Sequence, residues 1–556
     1  MLNKLFKSLK VFLSFLDRKD KFKFTFLSVI FAISSLLEIV TIVLIIPILS
    51  SFSEIQSNFN ILEEIFKKID FFLGLDNVLL TKIIILYAVV FFKNSFQIFA
   101  QLQISKYGYM MEDKITKQIL NHSYSMPLSD HKDSTSSELI KNCTNDAHKL
   151  NLFFINPLLI IISDLILIVS LLLFLIIFDP VATFISGSVS AIIVVGYHYF
   201  SGKFIYKWGR DLNKKQEEKI SIIQQIFYNL TQIQITNKIN FFKNKFDNIN
   251  KIYTKSSYLQ QALQNVNRNI YEIVLFIGVL VIASVPSKEP QIVLLGAFAL
   301  AAYKLLPSLN RMTSSFQSIQ FNIPVVEGLR KFNINDNKLN FSVKTPFESL
   351  KFENISFKYS DSNTFVIKDI DFKINKGDFL GIVGDSGSGK STLLSIIMGL
   401  NIPSSGNIYL NDNLENPRKI KFGYVPQTIN LINESIRKNI AFGYHEDDID
   451  KIKLQESIKL SQLDSFINNL EEGVETVVGD SGAKLSGGQI QRIGIARALY
   501  DNPDIIVFDE STSSLDKKTE NMIVETIVGL SEKISIIFVT HEINNLSKST
   551  KLIKLD

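Results

Sequence analysis

Gly384-Asp385-Ser386-Gly387-Ser388-Gly389-Lys390-Ser391-Thr392 decides how this chain reads. It follows the apolar run Phe379 to Val383 and precedes Leu393-Leu394-Ser395-Ile396-Ile397-Met398. A strand, a glycine-rich turn and a helix therefore stand in series, which is the context of a phosphate-binding loop. Glycines let backbone N–H groups turn inward around an anion, and the helix that starts here aims its positive end at the same point. Lys390 has the reach for β- and γ-phosphates. The Ser391 hydroxyl can ligate Mg²⁺.

Outward from the loop, the 556 residues are too many for one compact domain. Hydrophobic residues make up 46 % and charged ones 20 %, but that average hides two unlike halves. Long apolar runs fill the chain up to about residue 320; after about 345 it alternates strand-like and helix-like segments. A net charge of +5 is small for this length and makes no case for nucleic acid. Much of the positive charge flanks apolar runs, where lipid accounts for it. A single cysteine, Cys143, excludes an internal disulfide and a metal site built of cysteines. The first residues do not read as a cleavable signal peptide, because Lys4, Lys7 and Lys10 interrupt the apolar pattern.

Residues 1–20 set Leu5, Phe6, Leu9, Phe12, Leu13 and Leu16 against Lys4, Lys7, Lys10 and Arg18 at helical spacing. The expectation is a helix lying at the membrane surface, the other reading being a charged tail. Six stretches have the apolar length of a span: about 24–50, 78–103, 154–178, 181–201, 270–287 and 291–318. The basic N-terminus places that end in the cytoplasm. Six spans then return the chain to the cytoplasm, and the long polar loops 104–153 and 202–269 lie there too. Asp179-Pro180 and Val285 to Pro290 are tight outer turns. Segment 51–77 repeats apolar residues at helical spacing, which suits a helix on the outer membrane surface or one packed on the protein's own spans. The domains read as a transmembrane domain at 1–321, a linker at 322–346 and a nucleotide-binding domain at 347–556.

Further motifs surround the phosphate loop. Ile505-Ile506-Val507-Phe508-Asp509-Glu510 is an apolar strand ending in two acids, a pattern with little structural reason. Leu485-Ser486-Gly487-Gly488-Gln489 reads as another helix start, where Ser486 and the N–H groups of Gly487 and Gly488 can bind a phosphate. With Phe357-Lys358-Tyr359, Tyr424-Val425-Pro426-Gln427, Ser514-Leu515-Asp516 and His541, their order and spacing resemble the ATP-binding cassette of ABC transporters. The arrangement, membrane domain first, resembles an exporter-type half-transporter. The implied fold is an α-helical transmembrane domain of six spans followed by an α/β P-loop ATPase domain. The implied cofactors are ATP and Mg²⁺.

The resemblance also implies roles. Tyr359 stacks on adenine. Gln427 binds Mg²⁺ and senses the γ-phosphate, Asp509 holds Mg²⁺ through water, and Glu510 is the general base or orients the attacking water. Ser486, Gly487, Gly488 and Gln489 reach ATP held by the other subunit, Asp516 lies in a dimer-contacting loop, and His541 contacts the γ-phosphate. Val478-Gly479-Asp480 is similar to the family's segment that contacts the membrane domain across the dimer. Glu542 stands where the family more often has arginine. One phosphate loop and one signature per chain imply a two-fold homodimer. The implied location is the bacterial inner (cytoplasmic) membrane, multi-pass, with the nucleotide-binding domain in the cytoplasm.

Cargo is the least determined point. Lys304 and Arg311 lie seven residues apart in one expected span, on one helix face, with Lys93 in the second span and Arg268 at the start of the fifth. Cations this deep face a cavity or a partner. One reading is a basic cavity for a phosphate or pyrophosphate group. The other is internal pairing with Glu38, Asp164 and Glu272. These residues, with Tyr303-Lys304-Leu305-Leu306-Pro307-Ser308-Leu309-Asn310-Arg311 and Glu38 before Ile46-Pro47, resemble bacterial lipid-linked oligosaccharide flippases of protein glycosylation. That implies ATP-driven movement of a polyprenyl-pyrophosphate oligosaccharide, the alternative being export of another lipid, a peptide or a drug. Lysine at 93 and 304, where those flippases tend to have arginine, keeps charge but loses bidentate binding.

Overall fold

The computed structural model describes residues 2–50, 60–73, 77–131, 136–284, 291–332, 345–359, 362, 364–479, 482–510, 525, 529, 534–540 and 550–555. Parts of the 51–77 segment, the 285–290 turn and residues 333–344 of the expected linker lie outside these residues, as do Asp480, Asp516, His541 and Glu542. The chain forms two units. One is Met1–Tyr124 with Ser134–Asn337; the other is Ser125–Asp133 with Lys338–Asp556.

The first unit is helical. Its long helices are Arg18–Ser50, Val78–Ser125, Asn156–Phe178, Pro180–Tyr228, Ile239–Ser284 and Gln291–Leu329. Each of the six expected stretches falls on one of these helices, 285–287 lying outside the described residues, and several helices run far beyond them, because the polar loops keep the helical period. Among the described residues, Arg18–Ile45, Val78–Ser125, Ser136–Ile177 and Pro180–Tyr228 are long and apolar enough to cross a membrane. Two π-helical turns, Asn142–Asp146 and Asn151–Ile155, lead into the third span. At the next turn, Asp179 accepts a hydrogen bond from the Ala182 N–H at 3.0 Å, and Pro180 starts the following helix.

The N-terminal helix Leu2–Phe15 differs from the surface helix expected of it. Its apolar face is buried in the protein: Phe12 is fully enclosed, with its ring 5.7 Å from Phe154 and 6.0 Å from Phe24. Phe15 and Leu16 join the same core, with Met111, Ile115, Ile119, Val326 and Leu329. An amphipathic period states that a face is covered, not by what, and here the protein covers it. Helix Asn60–Leu73 combines both readings of its segment. Phe66 is buried beneath the Lys82 ammonium, and Asp70 accepts from the Asn77 N–H at 3.3 Å and the Thr81 hydroxyl at 2.5 Å. Phe71 and Phe72 stand exposed.

Among its described residues the second unit carries nine strands: β1 (Ser349–Phe357), β2 (Ile367–Asn375), β3 (Phe379–Gly384), β4 (Ser405–Leu410), β5 (Asn413–Leu414), β6 (Phe422–Val425), β7 (Ile505–Asp509), β8 (Ser535–Val539) and β9 (Lys551–Leu555). An antiparallel sheet has the order β2-β1-β4-β5, and a parallel sheet the order β6-β7-β8-β3-β9. The unbroken apolar runs of β3, β7 and β8 are the signature of strands buried on both faces of a parallel sheet. Parallel pairing puts all carboxyl ends on one edge, the edge that binds ligands in such sheets. There β3 runs into the phosphate loop, β6 into Gln427, and β7 ends at Asp509.

Phe12→Ala should cost the membrane unit about 3 kcal/mol or more, as for a fully buried phenylalanine. Phe6→Ala, on the exposed face, should stay within about 0.5 kcal/mol. Thermal unfolding in detergent separates the two; equal small shifts would return the helix to the membrane surface.

Candidate functional site

The phosphate loop folds as its glycines require. Gly387 and Gly389 have φ of 90° and 95°, a region that costs a side chain dearly. At Gly384 a Cβ would stand 2.6 Å from the Leu555 carbonyl oxygen, so β9 itself enforces glycine there. Helix Lys390–Ile397 begins immediately after, with Gly389 as its N-cap. Ser388 Oγ is buried without a hydrogen-bond partner, and Ser388 N–H donates to the Asp385 carbonyl at 3.1 Å. A buried hydroxyl left over inside a loop of inward-turned amides fits a phosphate group.

Lys390 is buried and folds back across its own loop. Its ammonium donates to the carbonyls of Gly384 at 2.7 Å and Asp385 at 3.0 Å, and lies 3.5 Å from Glu510 Oε1. Glu510 Oε2 accepts from the Gln427 side-chain amide at 2.9 Å. The carboxylate is thus held between an amide and an ammonium that come from two different strand ends. Its backbone is strained: φ is +48°, with the N–H donating to the Val539 carbonyl at 3.1 Å. A non-glycine residue in that region costs of order 1–3 kcal/mol, and such strain concentrates at functional sites.

Asp509, the other acid of the pair, receives a hydrogen bond from the Tyr424 hydroxyl at 3.1 Å. Burial pushes its carboxyl above the usual carboxylate range, and the Glu510 charge adds to this. The Tyr424 hydrogen bond and Lys390 act in the opposite direction. Tyr424 was not singled out by sequence, although the signal existed. It lies in β6 beside β7, paired with Val507 two residues before Asp509. Ser391, Gln427 and Asp509 bring a hydroxyl, an amide oxygen and a carboxylate to the same edge, a hard-oxygen set that suits Mg²⁺.

Tyr359 sits beside the loop helix, its hydroxyl 3.1 Å from Thr392 Oγ1 and its ring edge-on to Phe357. Thr392 begins a chain of bonds that leads away from the site. Its carbonyl accepts from Ser395 Oγ at 2.7 Å, and Ser395 Oγ accepts from the Asn401 amide at 2.7 Å. Asn401 Oδ1 accepts from the Ser129 N–H at 2.7 Å. Ser129 belongs to the short helix Leu128–His131, whose Leu128 N–H donates to the Leu400 carbonyl at 3.0 Å. Nothing in the sequence marked Asn401 or Ser129.

The signature residues stand apart from this cluster. Ser486 caps helix Gly487–Tyr500 in a capping box: its N–H donates to Gln489 Oε1 at 2.8 Å, and its Oγ accepts from the Gln489 N–H at 3.4 Å. Ser486 and Gly487 are exposed, and a Cβ at Gly487 would meet nothing within 4 Å. This helix start, next to Gly488, opens outward with its amides available.

The four membrane cations are all paired with the acids set against them in the sequence. Lys93 and Lys304 share Glu38, at 3.0 and 2.8 Å. Arg311 forks onto Asp164 at 2.6 and 3.2 Å and donates to Ser308 at 3.1 Å. Arg268 meets Glu272 at 2.9 Å, one turn on, and both are largely exposed. Among the described residues, the internal-pairing reading thus accounts for one acid partner of each of these four cations. Two lysines on one carboxylate still leave that cluster one positive charge in excess.

Residues 367–513 match the ABC transporter family, and residues 22–289 match the ABC transporter transmembrane region. The chain is similar to the leukotoxin export ATP-binding protein LtxB of Aggregatibacter actinomycetemcomitans, 31 % identical over 55 % of this chain and 44 % of the relative. The alpha-hemolysin translocation ATP-binding protein HlyB of Escherichia coli O157:H7 is 31 % identical over 53 % of this chain and 42 % of its own length. The chain thus spans less than half the length of these relatives. Its fold is that of a bacterial Atm1-family ABC exporter solved with ATP bound, with a TM-score of 0.76, covering 97 % of this chain and 93 % of that one at 18 % identity.

Glu510→Gln should retain ATP binding and lower turnover by about 10²–10⁴-fold if this carboxylate accepts the proton, because the change keeps shape and removes the acceptor. Near-normal phosphate release in that variant would move the base elsewhere. Tyr424→Phe should raise the Mg²⁺ concentration needed for half-maximal activity by about 10-fold, by freeing Asp509 from its partner. An unchanged Mg²⁺ titration would make Tyr424 a packing residue only.

Proposed function

We propose that the chain, whose two halves match the ABC transporter transmembrane region and the ABC transporter family, is one half of a homodimeric, ATP-driven exporter. The carrying observation is the clamped Glu510. A carboxylate fixed by Gln427 and Lys390 at the mouth of a phosphate loop is placed to accept a proton from water attacking the γ-phosphate. Mg²⁺, held by Ser391, Gln427 and Asp509, supplies charge neutralisation on the phosphates when bound. Lys390 exchanges its two loop carbonyls for phosphate oxygens. His541 contacts the γ-phosphate and Asp516 the opposite subunit. The outward-facing Ser486, Gly487, Gly488 and Gln489 close on ATP held by a second copy, so two copies share two sites.

The cargo is proposed to be a lipid-linked anion, polyprenyl-pyrophosphate oligosaccharide being the specific form, flipped across the bacterial inner membrane. The excess positive charge of Lys93–Glu38–Lys304, and an Arg311 side chain that is 52 % exposed despite its Asp164 bond, support an anion that exchanges with internal carboxylates. A second reading, export of a protein toxin, is favoured by the names of the similar leukotoxin and hemolysin translocators. Export of another lipid, a peptide or a drug uses the same engine.

The test is translocation in proteoliposomes. A labelled polyprenyl-pyrophosphate oligosaccharide should lose accessibility to an external glycan-modifying enzyme when ATP is added, and keep it in Glu510→Gln. Lys304→Ala with Arg311→Ala should lower that rate by about 10-fold or more while basal ATP hydrolysis stays within about threefold. Intact hydrolysis with no protection would transfer the cargo to the protein-export reading. Asn401→Ala should also hydrolyse ATP yet move cargo at least about fivefold more slowly, because Asn401 ties the short helix to the phosphate-loop helix. Equal transport per ATP would make that tie structural.

A further inference from the structure

Just behind Gln427 the chain is tied to helix Gly487–Tyr500, and Arg497 of that helix carries the tie. Its Nε donates to the Asn439 carbonyl at 2.8 Å, one terminal nitrogen to the Asn430 carbonyl at 3.1 Å, and the other to Asn439 Oδ1 at 3.0 Å. Asn439, fully buried in the short helix Ile436–Ile440, spreads the grip. Its Oδ1 also accepts from the Ile432 N–H at 3.0 Å. Its Nδ2 donates to the carbonyls of Ile432, Glu434 and Ser435 at 2.9, 3.3 and 3.1 Å. Residues 430–434 form neither helix nor strand, so a guanidinium fork and one buried amide hold backbone that has no ladder of its own.

A second contact reinforces the first. Gly494, about one turn before Arg497, lies against Ile429. A Cβ at Gly494 would stand 2.3 Å from Ile429 Cδ1 and 2.9 Å from Cγ1, so the helix comes this close only because the residue is glycine.

These contacts join two parts of the nucleotide site. An α-helix rises about 1.5 Å per residue, so Ser486 and Arg497 are linked by about 16 Å of one stiff rod. On the other side Asn430 lies close in sequence to Gln427, whose amide donates to Glu510 Oε2 at 2.9 Å. We propose that Arg497 is a positioning residue: through Asn430 and Asn439 it fixes how far the Gln427 amide reaches toward Glu510. This rests on the reading of Glu510 as the group that handles the attacking water. The phosphate loop makes no part of the tie, so ATP binding should be spared and turnover affected.

The experiment is ATP hydrolysis by the full chain in nanodiscs, arranged as a double-mutant cycle. Arg497→Lys keeps the charge and loses the fork; it should lower kcat at least about fivefold, with the ATP concentration for half-maximal rate held within about twofold. In a Gln427→Ala background the same change should lower kcat less than about twofold, because the residue it acts through is gone. Gly494→Ala pushes on Ile429 and should lower kcat at least about threefold, and adding Ile429→Ala, which makes room, should raise it again at least about twofold. Equal fractional losses with and without Gln427, or no loss in either Arg497→Lys or Gly494→Ala, overturn the proposal. Hydrogen exchange supplies a readout without turnover: Arg497→Lys should speed exchange across 428–435 at least about tenfold and leave 384–397 unchanged. Unchanged exchange across 428–435 overturns the tie. A chain that hydrolyses no ATP loses the exporter reading instead, and exchange alone then decides the tie.

Discussion

The ATPase unit depends on one constraint: the parallel sheet must bring the ends of β3, β6 and β7 to a single edge. Only then can Lys390, Gln427 and Glu510, separated by long stretches of chain, meet around one carboxylate. The strain at Glu510 follows from that meeting. Its left-handed backbone is held by a bond to Val539 in the neighbouring strand, and the sheet core beneath supplies the stability that tolerates it. The acid beside it is treated differently, buried and tied to Tyr424, so two adjacent carboxylates have unlike environments.

The membrane unit obeys a parallel rule with the opposite emphasis. Charge within spans is costly, and Lys93, Lys304 and Arg311 each have an acid partner. Glu38 serves two lysines and Asp164 one arginine, so charge is nearly, not fully, cancelled. An apolar cavity also lies among these helices, and its hydroxyls are bonded within the protein.

Much of the nucleotide site was legible because its chemistry fixes residue types at fixed spacing. The loop from Gly384 to Thr392, the acid pair after β7 and the Ser486 cap each carry a local reason that sequence displays. The long helices were legible from the length of the apolar runs and the helical period that continues beyond them. What sequence withheld was the partner in each contact. The periodicity of Leu2–Phe15 announced an apolar face, but only the core around Phe12 and Phe154 shows that protein, not lipid, covers it. Lys93 and Lys304 were visibly out of place in apolar runs, yet their convergence on Glu38 is a three-dimensional fact. Asn401 gave no signal because its role is set by Ser129, far away in the chain and adjacent in the fold.

The proposed exporter stands or falls with a shared site, in which the phosphate loop of one copy and the signature helix of another would enclose the same nucleotide. The most direct measurement is a structure of the Glu510→Gln chain in lipid nanodiscs with ATP and Mg²⁺. The account predicts a two-fold dimer with two nucleotides. Each has Lys390 swung from the Gly384 and Asp385 carbonyls onto phosphate, and Ser486 and Gly487 of the opposite copy within hydrogen-bonding distance of the γ-phosphate. A nucleotide bound by the phosphate loop alone, with both signature helices left facing solvent, would contradict it.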